Sequence, residues 1–299
     1  MIKKSIFLFL LFINNLCFAF ERDTLALNFS QQKKHNAIIS SITIGAGATS
    51  FIGLNNLWYK DYPQSNFHFF NDSKEWMQMD KFGHAFTSYQ IGRSFYNTLQ
   101  TSDSNRNRNI FLGGASGLIY LTSIEILDGK SAQWGFSKSD MIANTFGYFL
   151  FASQEYFLQQ QFISMKFSYQ KSAFANLRPE IFGRNFQQRV LKDYNGQTYW
   201  LSAPLSLNRS NTKRFTRWLC ISFGYSIDEN VFADNNINSV NNFHATREFF
   251  FSFDADLNRI EWRRKWMKKI ASVINFIKIP SPTIGIRSDG KVKVYPVYF

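Results

Sequence analysis

The stretch IFLGGASGLIYLTSIEILD, residues 110–128, decides the fold of the first half of this chain. Residues 110–124 carry no charge, and Gly113 and Gly117 have a G-x-x-x-G spacing that lets another helix approach closely. Glu125 and Asp128 follow in the last turn, where carboxylates oppose the helix dipole. The stretch therefore predicts a tightly packed helix that presents acidic side chains to its neighbours.

The predicted helix before this stretch carries a second polar group. Asp72 and Glu75 have the spacing of a capping box, which predicts a helix over about 73–99. Asp80 and His84 lie one turn apart on one face of that helix. The carboxylate can orient the imidazole, share its proton or ligate a cation beside it. A plain hydrogen bond between the two side chains is the structural alternative.

The predicted helix after the stretch, over about 137–156, supplies a third group. Ser137 and Asp140 again have capping-box spacing, so the Asp140 carboxylate either accepts the Ser137 N–H or faces the polar cluster. Asn144 lies one turn further along the same face, where a buried amide must satisfy both a donor and an acceptor. It is a natural partner for the polar residues of the two preceding helices.

Ionisable groups inside apolar helices are costly to bury unless they pair with one another, an ion or a ligand. The predicted polar cluster consists of Asp80, Lys81, His84, Glu125, Asp128, Asp140 and Asn144. The candidate ligands for a divalent cation are Asp80, His84, Glu125 and Asp128. The candidate catalytic residues are His84 and Glu125, and an ordinary Asp-Gly turn is the structural alternative for Asp128.

The N-terminal segment 1–19 is typical of a secretory signal peptide, with two lysines, an apolar run over 6–13 and cleavage before Phe20. A retained anchor helix is the alternative, although the run is shorter than the ~20 residues of a spanning helix. Leu16 makes Cys17 a poor lipid attachment site. Cleavage would leave Cys220 as the only cysteine, which excludes an intrachain disulfide.

Composition indicates an envelope protein with a large apolar core or a membrane contact. The chain has 34 phenylalanines and a formal net charge of +13, which becomes +11 without Lys3 and Lys4. For an exported protein this charge favours membrane lipid or lipopolysaccharide over nucleic acid as a partner. Residues 37–59 are uncharged and glycine-rich, which fits either a membrane-embedded helix or a buried bundle helix. The aromatic stretch 58–70 fits either an interface belt or a packed loop.

Beyond residue 160 the pattern changes to the alternation of antiparallel strands. The predicted strands are 162–169, 198–207, 218–227, 248–257 and 291–299. The C-terminal KVKVYPVYF is similar to the closing strand of an outer-membrane barrel, but the strands are fewer than the eight of a small barrel. An open sheet packed on the helices is therefore preferred over a partial barrel.

Between the last two predicted strands, residues 259–278 predict a basic amphipathic helix. Its candidate membrane-surface residues are Trp262, Arg263, Arg264, Trp266, Lys268 and Lys269. Tryptophan and basic residues at helical spacing are typical of a helix lying on anionic lipid. A solvated basic face on an ordinary helix is the alternative.

The order Asp80-Lys81-x-x-His84, Glu125-x-x-Asp128 and Asp140-x-x-x-Asn144-x-x-Gly147 resembles the YfiM-like family of predicted envelope proteins of unknown function. The stretches WYKDYPQSNFHFFNDSKEWMQMDKFGHA, IEILDG and WGFSKSDMIANTFG resemble its longer, Bacteroidetes-type members. The same skeleton is more loosely similar to VanZ-like membrane proteins, which more often have Gln at the position of Asp128. The resemblance implies a shared site and leaves the reaction open.

Together these patterns predict an α+β protein with about four small-residue-rich helices, an antiparallel β region and one basic helix. The predicted domains are a signal peptide over 1–19, a helical domain over 20–160 and a β-rich region over 161–299. The predicted function is that of an exported, membrane-associated envelope protein whose polar cluster stabilises the bundle or binds an anionic lipid head group. The alternative is a metal-assisted hydrolase or transferase that acts on a lipid-linked phosphate, so catalysis stays open. The expected location is the outer membrane or its periplasmic face, with the inner membrane as the alternative.

Overall fold

A computed structural model describes residues 63–100, 105–206 and 216–299, together with five helical positions between 41 and 52. The predicted signal peptide and most of the segment 37–59 lie outside the described residues. The chain forms two units. One contains His84–Gln161, Arg264–Val273 and the chain up to Asp72. The other contains Ser73–Gly83, Phe162–Arg263 and Ile274–Phe299.

Three long helices supply most of the described part of the first unit. They are α1 (Met79–Gln100), which begins in the second unit, α2 (Arg106–Asp128) and α3 (Lys138–Ser153). A π-helical turn, Gln154–Leu158, follows α3. The short strands β1 (Phe69–Phe70) and β2 (Phe136–Ser137) pair in parallel just before α3 begins.

The predicted start of α1 near residue 73 is wrong, because the helix begins at Met79. Trp76, Met77 and Gln78 have φ angles of 48°, 49° and 67°. These left-handed conformations cannot continue a right-handed helix. The Asp72 carboxylate accepts hydrogen bonds from the Ser137 and Ser139 hydroxyls.

The helices of the first unit cross at very short range, as the glycine spacing in α2 predicts. A Cβ atom at Gly117 would lie 2.4 Å from the Ser88 carbonyl oxygen. A Cβ at Gly147 of α3 would lie 2.2 Å from the Ala85 carbonyl oxygen. Both distances are far below van der Waals contact, so only glycine fits. These crossings place α2 and α3 against the same turn of α1.

A six-stranded antiparallel meander forms most of the second unit and confirms the predicted open sheet. The strands lie in sequence order and are β3 (Ser164–Tyr169), β4 (Gln197–Pro204), β5 (Leu219–Asp228), β6 (Thr246–Ala255), β7 (Ser281–Arg287) and β8 (Val292–Tyr298). Strand β7 is absent from the five predicted strands. Two short helices, α4 (Pro179–Phe182) and α5 (Phe186–Lys192), separate β3 from β4, and α6 (Asn235–Val240) separates β5 from β6.

The inner face of this sheet is unusual in burying charge. Trp200, Phe250 and Tyr298 form its apolar core. Next to them Lys166 Nζ lies 2.8 Å from Asp254 Oδ2, and both side chains are almost fully buried. Cys220 on β5 is also buried.

The basic helix is shorter than the predicted range 259–278. Helix α7 spans Lys265–Ile274, after a 3₁₀ turn at Leu257–Arg259. Trp262, Arg263 and Arg264 therefore precede the helix, and the Trp262 indole N–H donates to the Leu257 carbonyl. Trp266 and Ile270 are exposed on α7, one turn apart. Its membrane contact stays a prediction.

Candidate metal centre

One nitrogen and two carboxylate oxygens converge in the first unit, from three different helices. His84, Glu125 and Asp140 each place one ligand atom within 4.8 Å of the others. His84 Nε2 lies 3.7 Å from Glu125 Oε1 and 3.9 Å from Asp140 Oδ2. These separations are too long for hydrogen bonds. They leave room for a cation between the three atoms.

The imidazole of His84 is oriented from its far side. Its Nδ1 lies 3.0 Å from Asn144 Oδ1, and the amide oxygen accepts the Nδ1–H in this geometry. Ser88 donates its hydroxyl to the Asn144 carbonyl at 2.7 Å, which fixes the backbone of α3 at this position. The Nε2 lone pair then points toward the two carboxylates. Histidine ligands of metals usually have this arrangement, with the second ring nitrogen donating to a fixed acceptor.

Glu125 is the most deeply buried member of the three, with 1 % of its surface exposed. Its Oε2 accepts the Ser137 backbone N–H at 3.0 Å. Its Oε1, the atom that faces His84, accepts no hydrogen bond from any residue of the described chain. A buried carboxylate oxygen without a partner is expensive, so this atom is where an exogenous cation or proton is needed most.

Burial, together with the nearby Asp140 carboxylate, raises the pKa of Glu125 from its ordinary 4.5 to about 9, against the lowering effect of the Ser137 N–H. Without a cation, Glu125 therefore holds a proton at neutral pH. A divalent cation would take the place of that proton and neutralise both carboxylates.

This raised pKa gives the cation-free protein a defined pH dependence. Between pH 4.5 and 9 the folded state binds more protons at Glu125 than the unfolded state does. The free energy of unfolding therefore falls as pH rises through this window, by up to about 1.4 kcal/mol per pH unit. We expect urea titrations in EDTA to show a steeper fall for wild type than for Glu125→Gln. Equal slopes would contradict the assignment.

A second layer of serines frames the centre. The Ser137 hydroxyl accepts the Asp140 backbone N–H at 3.0 Å and so caps α3, as the spacing predicts. The reciprocal half of that capping box is wrong, because the Ser137 N–H donates to Glu125. Asp140 is thereby left to face His84. The Asp72 carboxylate holds the Ser137 and Ser139 hydroxyls at 2.6 and 2.7 Å.

The structure gathers four of the seven predicted cluster residues at one centre, namely His84, Glu125, Asp140 and Asn144. Asp128 is not one of the three converging ligands, although its charge helps to raise the Glu125 pKa. Asp80 and Lys81 belong to the second unit, where their side chains pair at 2.7 Å. Sequence reasoning missed Ser88 and Asp72 as partners of this centre, because Asp72 was interpreted only as the cap of the helix that follows it.

The donor set of one imidazole nitrogen and two carboxylate oxygens suits Zn²⁺, Mn²⁺ or Fe²⁺ better than Ca²⁺ or Cu⁺. Three protein ligands would leave further coordination positions open, as in catalytic metal sites. The His84 side chain is 21 % exposed, whereas Glu125 and Asp140 are nearly buried. Solvent or a small ligand would therefore reach the centre from the His84 side.

Among the helices in the described ranges, only α2 has the length and apolar composition to cross a membrane. A core helix of a soluble protein has the same properties, and a third of the most apolar part of α2 is buried.

Comparison with known proteins finds a family similarity over the part of the chain that contains this centre. Residues 68–155, less than a third of the chain, match a family model described as "Predicted periplasmic lipoprotein (DUF2279)". No curated protein and no solved structure gives a significant match. The matched region contains His84, Glu125, Asp140 and Asn144, so it is similar to that family over the whole of the centre.

Proposed function

We propose that this chain is an exported cell-envelope protein whose helical unit binds a divalent transition-metal cation through His84, Glu125 and Asp140. The match of residues 68–155 to a family described as periplasmic supports export to the envelope. We place the protein at the outer membrane or its periplasmic face as part of the same proposal. The proposal also includes the YfiM-like and VanZ-like relationships.

The observation that carries the proposal is the buried Glu125 Oε1, which accepts no hydrogen bond from the described residues and lies 3.7 Å from His84 Nε2. Two acceptors facing each other in a largely buried site repel unless a positive charge lies between them. A proton on Glu125 removes part of this repulsion, but the distance to Nε2 is too long for it to be shared. A cation would contact both atoms and Asp140 as well.

The same charges bear on the predicted lipid head group. Glu125 and Asp140 are both acidic, so a phosphate would meet two like charges at this centre. A bound divalent cation would cancel them and could hold a phosphate oxygen in an open position. Head-group binding and bundle stabilisation thus both follow from the cation, because one ion would tie α1, α2 and α3 together.

A second candidate function is metal-assisted hydrolysis or transfer at a lipid-linked phosphate. The exposed edge of His84 favours it, because a closed structural site would have a fourth protein ligand and no access. Phosphate release from a diacylglycerol phosphate or polyisoprenyl phosphate by the metal-loaded protein tests this candidate. If phosphate release equals that of a metal-free control, catalysis is excluded and cation binding is the remaining function.

The binding proposal is tested by elemental analysis and calorimetry of the purified mature chain with Zn²⁺ and Mn²⁺. We expect about one ion per chain, and His84→Ala or Glu125→Gln should weaken binding by at least about 100-fold, since each removes one of three ligands. Asn144→Ala should cost about 10- to 100-fold, because it only releases the ring of His84. Asp128→Asn is the matched control, because it removes a charge from the same turn of α2 and no ligand.

The result that would contradict the proposal is equally clear. If folded wild type takes up no Zn²⁺ or Mn²⁺, or if the ligand variants and Asp128→Asn bind alike, the centre is not a cation site. Thermal unfolding with and without metal distinguishes a centre that binds a cation from one that does not. A bound ion at about 100 times its Kd stabilises the folded state by about 2.7 kcal/mol, and a ligand variant that folds should lose this gain.

A further inference from the structure

The sheet of the second unit has an apolar face that is exposed. One row of cross-strand neighbours runs straight over five strands, from Leu201 through Phe223, Phe251 and Ile284 to Val294. Every member of this row is at least 37 % exposed. Phe253 in the row above and Ile286 and Val292 in the row below are exposed as well.

The opposite face of the same strands carries a row of polar side chains beside its apolar core of Trp200, Phe250 and Tyr298. The neighbouring row there consists of Ser202, Ser222, Ser252 and Thr283, all buried. These hydroxyls bond to one another and to Asp254, with Ser202 to Asp254 at 2.7 Å and Thr283 to Ser252 at 2.8 Å. Every hydroxyl of this row therefore has a partner inside the protein.

This distribution is the reverse of that in a water-exposed antiparallel sheet, which buries its apolar side and hydrates the polar one. Strands that contact lipid alternate in the way seen here, with apolar side chains outward and polar ones inward. The outward residues of these rows carry no charge, and the first charged residue on the same face of β6 is Arg247, whose guanidinium donates to Gln78 Oε1. Such a continuous patch indicates a surface that is covered in the working protein.

Part of the face is covered by the chain itself. The Phe82 ring stacks on Tyr225 with centroids 4.5 Å apart and lies 6.4 Å from Tyr199. The exposed rows continue directly from these two tyrosines along β4 and β5. Along β6 the uncovered part extends from Phe249 to Phe253, about 14 Å at the usual rise of a strand. That length matches the hydrocarbon depth of one leaflet, about 15 Å.

Charge decides between a membrane and a second copy of the chain as the occupant. The chain carries a net charge of +13, or +11 if Lys3 and Lys4 are removed with the leader. Two copies would repel each other, whereas a leaflet with anionic lipids attracts the chain before its apolar rows insert. We infer that the outer face of the sheet inserts into one leaflet of an anionic lipid bilayer. The inference is independent of the metal centre.

Vesicle flotation of the mature chain tests this surface with phosphatidylethanolamine and phosphatidylglycerol. We expect Phe223→Thr/Phe251→Thr to lower the partition coefficient at least tenfold, because burying even one such ring is worth about that much. Threonine keeps the strand propensity of the site, so the sheet should fold. The matched control is Phe186→Thr, which removes an exposed ring from α5 and should leave partitioning unchanged.

A positional probe separates the sheet from α7 as the membrane contact. Phe251→Cys, labelled with an environment-sensitive fluorophore, should shift to the blue on vesicles and be quenched by spin-labelled acyl chains. The same label at Asp289→Cys, in the exposed turn between β7 and β8, should not be quenched. Wild-type-like flotation of the double variant, or an unquenched label at 251, would overturn the inference. So would a stable dimer in solution whose label is insensitive to vesicles.

Discussion

Replacing Asp254 by Asn should lower the free energy of unfolding by about 3–5 kcal/mol, the usual cost of removing one partner from a buried ion pair. Asp254 lies 2.8 Å from Lys166 Nζ, and it also accepts the Ser202 hydroxyl and the Ile279 N–H. Asparagine keeps most of this shape and loses the charge. The buried ammonium of Lys166 would then have no counter-ion.

A second buried lysine makes the loss more severe. Lys278 is fully buried with its ammonium over the Trp200 ring, and burial lowers its pKa to about 8 despite the attraction of Asp254. In Asp254→Asn both buried amines would lose the carboxylate that attracts them. Urea denaturation followed by tryptophan fluorescence measures the effect.

The matched control is the double variant Lys166→Met/Asp254→Leu. It removes the Lys166 and Asp254 charges together, so it should recover the part of the lost stability that comes from the unpaired Lys166, as apolar replacement of buried pairs often does. A single variant within about 1 kcal/mol of wild type would show that the pair is hydrated in solution and that the sheet interior is open.

Gly147→Val should unfold the helical unit or destabilise it by about 3 kcal/mol or more, at the upper end of overpacking effects. The new side chain would begin 2.2 Å from the Ala85 carbonyl oxygen, a backbone atom that cannot rotate away. Helices α1 and α3 would have to separate, which would also carry His84 away from Asp140. Metal binding should therefore be lost together with stability.

Thermal and urea unfolding of this variant should be compared with Ser153→Ala, a small change on the exposed side of the same helix. The control should stay within about 0.5 kcal/mol of wild type. A Gly147→Val protein with wild-type stability and full metal uptake would show that the crossing is looser than the structure has it.

The sequence was most informative where a local pattern has one physical meaning. The G-x-x-x-G spacing at Gly113 and Gly117 predicts a close helix crossing, and the structure has one. Buried ionisable residues on three separate helices predict one cluster, and His84, Glu125 and Asp140 meet. Alternation predicts five of the six strands. Each of these patterns reflects burial on one face, which a sequence records directly.

Other features depend on choices that the sequence leaves open. Asp72 and Asp140 each fit a capping box, yet the Asp72 carboxylate accepts serine hydroxyls and the Asp140 carboxylate faces His84, because these groups come near only after folding. The three left-handed residues before α1 give no local signal. Strand β7 was missed because Pro282 lies within it and its alternation is short. The polar interior of the sheet could not be read from alternation, which does not say which face is buried.

The buried thiol of Cys220 can report how often the β unit opens. Burial, together with the nearby Asp256 carboxylate, raises the pKa of this thiol to about 12, so almost no thiolate exists at neutral pH. Because only the thiolate reacts, an oxidising compartment should leave this thiol unmodified while the sheet is folded. Alkylation of Cys220 then requires that β5 opens. The alkylation rate under native conditions would therefore report the frequency of local opening of the sheet.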